Sequence, residues 1–159
     1  MALNFTSGDG GKLKKMIENF LKEETISNDY YCTKCKTFRE CKRKIDFYRL
    51  PEILVFQLKR FSYGRWRKVK LNNYVKVEET LDLSSFVTES NHKSTLNAVY
   101  GLVGVVNHSG DIDFGHYTAE CKNPINGKWY NFNDSHVSET RMRENYESAS
   151  PYLLFYARQ

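Results

Sequence analysis

The sequence contains no apolar run long enough to cross a bilayer, and its first residues lack the apolar stretch of a secretory signal peptide. A membrane protein or an exported one is therefore not expected, and a soluble cytoplasmic or nuclear one is. Proline is scarce, with three residues, and tryptophan scarcer, with two, whereas there are 11 tyrosines and 10 phenylalanines. Those aromatics favour pleated strands, and so few prolines leave long strands unbroken. Only four cysteines occur, Cys32, Cys35, Cys41 and Cys121. Without a signal peptide, and in a chain of 159 residues that can bury its own core, reduced thiols are expected rather than a disulfide framework.

Other signals are also missing. No internal repeat or second domain is evident, so residues 12–159 read as one folded unit after a glycine-rich start, residues 1–11, expected to be a flexible lead-in or an expression remnant. The formal charge is +5, with basic residues concentrated between Lys34 and Lys70. A solvated basic face and a nucleic-acid surface both fit that charge. No helix-turn-helix, RNA-recognition or four-ligand finger pattern accompanies it, and nucleic acid is not the expected partner. Cys32 and Cys35 have the spacing of a zinc knuckle, but a structural zinc site needs four ligands. Cys41 is a candidate third ligand, and no fourth is evident.

What is present is mostly strand. Leu13, Met16, Ile17, Phe20 and Leu21 fall on one face of a helix expected over residues 12–24. Lys44 to Arg49 alternates, and Ile53 to Phe61 is a long strand candidate whose first half is apolar on both faces, which suits a central position. Ser62 to Lys70 reads as a turn or mobile loop. Strands are expected near Tyr74 to Val77 and Asn97 to Asn107, with a short helical turn at Ser84 to Val87 between them. Gly101 and Gly104 point to a bulge or a close backbone approach. Gly115 to Lys122 and Lys128 to Phe132 flank an Asn-Gly turn and form a hairpin. A short helix over residues 139–145 and a buried strand at Pro151 to Tyr156 close an α+β fold dominated by antiparallel sheet.

The hairpin places two residues of chemical interest together. With a four-residue tip, Thr118 opposes Asn133; with Asn126-Gly127 alone as the tip, Glu120 does. In either register His116 and Asn133 share a face, because strand side chains alternate. In the first register they are diagonal neighbours, roughly 7–8 Å apart along the backbone. An Asn oxygen accepting a proton from one imidazole nitrogen fixes the tautomer and frees the other nitrogen as a general base, as in Cys-His-Asn proteases. Asp134 points to the other face in an ideal strand, or curls inward at the strand end to take over or reinforce the Asn133 role. A nucleophile is lacking. Cys121 lies an odd number of residues from His116 on the same strand, hence on the opposite face and about 16 Å away. Cys32 and Cys35 suit metal better than attack, and nothing places Cys41, for all its basic surroundings, near His116.

Five ordered motifs carry a resemblance that covers nearly the whole chain. Tyr31 to Lys36 is similar to half of a zinc ribbon, and Leu50 to Phe61 to a long palm strand. Tyr100 to Gly110 with Gly115 to Ala119 resembles a histidine box, completed by Trp129 to Ser138 and Tyr152 to Tyr156. Together they resemble the C-terminal half of the catalytic domain of ubiquitin-specific proteases, papain-like cysteine deubiquitinases built of thumb, palm and fingers. The resemblance implies the palm and part of the fingers. It implies His116 as general base, Asn133 as third triad member and Asp134 as a supporting acid. It further implies Phe114, Gly115 and Tyr117 as substrate-binding residues and Ser62 to Arg67 and His108 to Phe114 as the two loops that border the channel for ubiquitin's C-terminal tail, Phe114 standing where a Gly-Gly-His motif has its first glycine.

The implied activity is hydrolysis of peptide or isopeptide bonds after ubiquitin's terminal glycine, through an acyl-enzyme and with no cofactor in the chemistry. Ubiquitin or ubiquitinated proteins are the implied partners. The cysteine box and the first CxxC of the ribbon are absent from these 159 residues. The chain alone is therefore expected to be inactive, its structural zinc set (Cys32, Cys35) incomplete, and its uncovered surface prone to self-association. The alternative is a noncatalytic ubiquitin-binding module or pseudoenzyme.

Overall fold

Ile53 to Leu58 is apolar except for Gln57, with burial that alternates along it, and the computed structural model seats this segment inside one large sheet. Residues 1–6, 8–65, 67–87, 98–141 and 146–159 are described, without the side chains of Asn28 and Asp29. In chain order the elements begin with β1 (Ala2–Leu3), α1 (Leu13–Leu21), a hairpin of β2 (Glu24–Cys32) and β3 (Thr37–Arg43), and β4 (Ile53–Leu58). A second hairpin follows, β5 (Phe61–Tyr63) and β6 (Lys68–Lys70), then β7 (Val75–Lys76), β8 (Thr80–Asp82) and a 3-10 turn at Ser84–Phe86. The rest comprises β9 (Val99–Gly110), β10 (Gly115–Lys122), β11 (Trp129–Asn133), β12 (His136–Thr140), β13 (Glu147–Ser148) and β14 (Pro151–Arg158).

The large sheet runs β1-β4-β14-β9-β10-β11-β12, with β8 paired to the start of β9. Its pairings are antiparallel except β1 with β4. One face is buried. Leu54, Phe56, Leu58, Leu154, Tyr156, Tyr100, Leu102 and Val105 form one cluster with Leu13, Met16, Ile17 and Leu21 of α1. Burying each such side chain contributes about 1.5–3 kcal/mol. The helix ends at Leu21, short of residue 24, because Lys22 is extended and Glu24 already pairs with Arg43 in the next hairpin.

Strand β9 carries a bulge. Phe155 opposes Gly104 but Tyr156 opposes Leu102, leaving Val103 as the extra residue. The inward set changes there from Tyr100 and Leu102 to Val105 and Asn107. The expected irregularity at Gly101 and Gly104 is this bulge. A second shift between Pro151 and Leu153 leaves Tyr152 unpaired in β14.

Several expectations need correction. The segment read as a flexible lead-in is held down: β1 pairs with β4, Leu3 is fully buried, and the Asp9 carboxylate caps the backbone of Thr6 and Gly11. Lys44 to Arg49 is no strand; only Phe47 bridges, to Val87. The long strand stops at Leu58 because Arg60 turns inward, and its outer face stays open, with Ile53 54% exposed, so central placement did not require burial on both sides. Ser62 to Lys70 is not a loop but most of the β5–β6 hairpin, closed by Gly64 N–H to Arg67 O at 2.9 Å. Glu139 and Thr140, expected in a helix, end strand β12, while 142–145 and Asn97 lie outside the described residues.

Candidate functional site

The β10–β11 hairpin adopts the register of a four-residue tip, with Ala119 opposite Phe132 and Lys122 opposite Trp129. Asn123 builds the turn. Its side-chain oxygen accepts from Ile125 N at 2.8 Å, and Gly127, at φ +70°, takes the left-handed position. That register leaves Asn133, the last residue of β11, diagonal to His116. His116 Nε2 donates to Asn133 Oδ1 at 2.6 Å. An amide oxygen accepts only, so Nε2 carries the proton and Nδ1 presents a lone pair.

Asp134 and Ser135 make the two-residue turn into β12, where Asn133 faces His136. Asp134 sits at φ +51°, a conformation that Asp tolerates, and its exposed carboxylate makes no hydrogen bond to His116 among the described residues. The structure thus pairs His116 with Asn133 and leaves Asp134 at the hairpin tip.

The strand preceding His116 is built on a second histidine. His108 is 4% exposed and opposite Tyr117, with its ring centroid 4.7 Å from Tyr117 and 5.2 Å from Phe61. Burial, then the nearby Lys70, hold its pKa below the usual imidazole value, and its Nδ1 has no partner. Its ring edge fills the space where a side chain on Gly115 would stand. Phe114 is 85% exposed on the loop whose Asp111 N–H bonds Phe114 O at 2.7 Å, and Tyr117 is about half exposed beside Tyr152. Phe114, Gly115 and Tyr117 flank His116 along the chain, and Tyr117, packed on His108, lies on the face of β10 opposite to His116.

Two structural supports were not evident from the sequence. Arg60 is fully buried, donating to Pro151 O at 2.5 Å, Leu71 O at 3.0 Å and Asn73 O at 2.8 Å, with its guanidinium 4.8 Å from the Phe5 ring. Desolvation lowers its pKa to about 10. Lys70 donates to Gly110 O at 2.7 Å and to His108 O at 3.2 Å. A single Arg after an apolar strand, and a Lys closing a short hairpin, were the only signals.

All four thiols are free. Cys121 opposes Gly104 and Tyr130, and burial pushes its pKa up, the reverse of what a nucleophile needs. At the tip of β2–β3, Cys35 N–H donates to Cys32 Sγ at 3.4 Å, which draws the Cys32 thiol pKa down. This is knuckle geometry. Cys41 opposes Ile26, four residues along β3 from the Thr37 that faces Cys32, hence about 13 Å away. No group of three His, Cys, Asp or Glu suited to a metal occurs among the described residues, so two thiols alone do not fit a four-ligand zinc site.

Comparison with known proteins accounts for this layout. The model of the ubiquitin carboxyl-terminal hydrolase family matches residues 12–156. Ubiquitin carboxyl-terminal hydrolase 10 of Arabidopsis thaliana is 44% identical over 145 residues, covering 89% of this chain and 15% of that protein. Ubiquitin carboxyl-terminal hydrolase Usp2 of Drosophila melanogaster is 39% identical over 152 residues, covering 92% of this chain and 16% of its own. Among solved structures, a yeast SAGA DUBm superposes with a TM-score of 0.83 at 30% identity, covering 99% of this chain and 34% of that one. The SAGA Ubp8/Sgf11/Sus1/Sgf73 DUB module bound to ubiquitin aldehyde gives 0.81 at 30% identity, covering 99% and 35%. The chain thus spans about a sixth of these curated relatives and about a third of the solved chains. With its strand-dominated papain-like α+β fold, it belongs to the ubiquitin carboxyl-terminal hydrolase family, among the ubiquitin-specific proteases.

Proposed function

We propose that this chain supplies the base and orienting half of a thiol-dependent ubiquitin hydrolase site. The observation that carries the reading is the 2.6 Å hydrogen bond from His116 Nε2 to Asn133 Oδ1. It leaves Nδ1 as the atom that takes the proton from an attacking thiol and returns it to the departing amine. Asn133 orients the ring, and Asp134 adds negative charge at the hairpin tip that favours the imidazolium formed on proton transfer. The thiolate attacks the carbonyl of ubiquitin's terminal glycine, the amine leaves with the proton, and water then cleaves the thioester.

Phe114, Gly115 and Tyr117 line the approach of the extended tail in this reading. Ubiquitin as partner accords with relatives solved bound to ubiquitin aldehyde and to monoubiquitin. The nucleophile comes from outside these residues, because none of the four cysteines suits the role. Zinc at Cys32 and Cys35 awaits two more ligands, and catalysis itself uses none. Reduced thiols accord with a cytoplasmic or nuclear location.

The test is direct. Incubated with a fluorogenic ubiquitin substrate, the 159-residue chain releases no fluorophore above buffer. A catalytic domain completed with a cysteine-bearing half turns over, and His116→Ala in it lowers kcat by about 100-fold or more. Turnover by the chain alone that disappears on Cys41→Ser or Cys121→Ser would refute the assignment. A completed domain that binds ubiquitin without cleaving it would favour the noncatalytic module.

A further inference from the structure

Strand β14 covers one side of β9 only as far as Asn107, and the last contact on that side is His108 N–H to Ser150 O at 2.8 Å. Beyond it, β9 runs on through Ser109 and Gly110 with β10 as its paired neighbour, and Ser109 is the residue opposite His116. Among the described residues, the strand end that carries the His116 pairing therefore has no partner strand on that side. Such an edge shifts easily, because outward carbonyls without a partner strand hold nothing in place.

The edge is filled by an ammonium group. Lys70 Nζ bonds Gly110 O at 2.7 Å and His108 O at 3.2 Å, the two carbonyls flanking Ser109. Lys70 pairs with Phe61 across the β5–β6 hairpin, and the Phe61 ring packs edge-on against His108. One hairpin thus holds both the backbone and the side chain of His108, whose ring in turn sits against Gly115. Lys68, two residues earlier, only meets Asp113 at 3.5 Å on the exposed surface, a weak attachment. The charged groups facing the Lys70 ammonium are Arg60, which repels it, and Asp111, which attracts it.

We propose that Lys70 is a positioning residue for His116: its ammonium stands in for the absent neighbouring strand at the end of β9 and fixes the backbone from which the His116–Asn133 hydrogen bond is made. The inference rests on the reading of His116 as general base. Hydrogen bonds from a charged donor to carbonyls are stronger than the neutral bonds of a strand, so one side chain suffices for two carbonyls.

The test uses the 159-residue chain labelled with 15N-histidine, at a pH where His116 is neutral. In the native chain the ring-nitrogen shifts of His116 show one tautomer, Nε2 protonated. In Lys70→Met that signature is lost and the shifts move toward those of free histidine in the same buffer, while the amide spectrum of the core stays native. Lys70→Arg keeps charged donors and restores most of the native signature. Lys68→Ala leaves it untouched. A single tautomer that persists in Lys70→Met would overturn the proposal, as would global unfolding of that variant, which would make Lys70 a stability residue. A native chain without a single tautomer would instead sink the general-base reading of His116.

Discussion

Replacing Gly115 with alanine sets one methyl group against the ring of His108. The backbone of Gly115 lies outside the left-handed region, so the cost is purely steric. An added Cβ would stand 2.6 Å from His108 Cε1 and 2.9 Å from Ser109 O, with His108 Nε2 closer still. None of these neighbours yields cheaply. The imidazole is wedged between Phe61 and Tyr117, and the oxygen belongs to the backbone opposite His116. Overpacking of a rigid site costs about 1–3 kcal/mol, and the upper end is expected here, about 3 kcal/mol. For a domain of this size that lowers Tm by roughly 6–12 °C. Urea and thermal unfolding followed by circular dichroism measure it. Gly104→Ala is the control, because its Cβ would meet neighbours only at 3.7 Å, ordinary contact. His108→Ala in the Gly115→Ala background vacates the space and recovers more than half of the Gly115→Ala cost, measured against His108→Ala alone. A Gly115→Ala chain within about 0.5 kcal/mol of native, the range of a neutral surface change, would refute the packing argument.

Two other outcomes follow from buried basic side chains. His108 has a depressed pKa from burial and then Lys70, below the 6.5 of a free imidazole, so in the window between the two values the unfolded chain binds more protons. Its contribution is intact above that window and is lost as pH falls through the folded value. Urea midpoints at about pH 7.5 and about pH 5 should therefore differ more for the native chain than for His108→Phe, and equal differences would exclude His108 as the source. Arg60→Met removes the donors to Pro151, Leu71 and Asn73 but also relieves a charge that has no carboxylate partner among the described residues. Stranding three carbonyls outweighs that relief, and a net loss of about 2–3 kcal/mol is expected in urea unfolding, with no recovery in Arg60→Lys because one ammonium does not span three directions.

The parts of the site legible in the sequence were those fixed over short range. Strand alternation and a turn with glycine in the left-handed position put His116 and Asn133 on one face of a hairpin, and the apolar offsets from Leu13 to Leu21 located the buried stripe of α1. What stayed hidden depends on partners far along the chain. Arg60 meets Pro151 91 residues later and Lys70 meets Gly110 40 residues later, contacts without any local pattern. The same holds for β1, whose two residues are a strand only because β4 offers an edge. Arg60 also ended a strand that composition alone would continue, since a buried guanidinium draws its backbone out of the pleat to reach three carbonyls. Asp134 was placed by turn geometry, which lets it occupy the tip rather than curl toward the imidazole.

The extra residue at Val103 has a consequence for inheritance. On one side of it β9 buries Tyr100 and Leu102, and on the other Val105 and Asn107, so the bulge absorbs one residue and keeps both halves of the strand facing the core. Loss of that one codon would leave a regular ladder, with Leu102 opposite Tyr156 and Gly104 opposite Phe155 as before, and His108 would keep the face it shares with Tyr117. In a mutational scan, point changes and an in-frame deletion at Val103 should both be accepted more readily than changes at the paired, fully buried Val105.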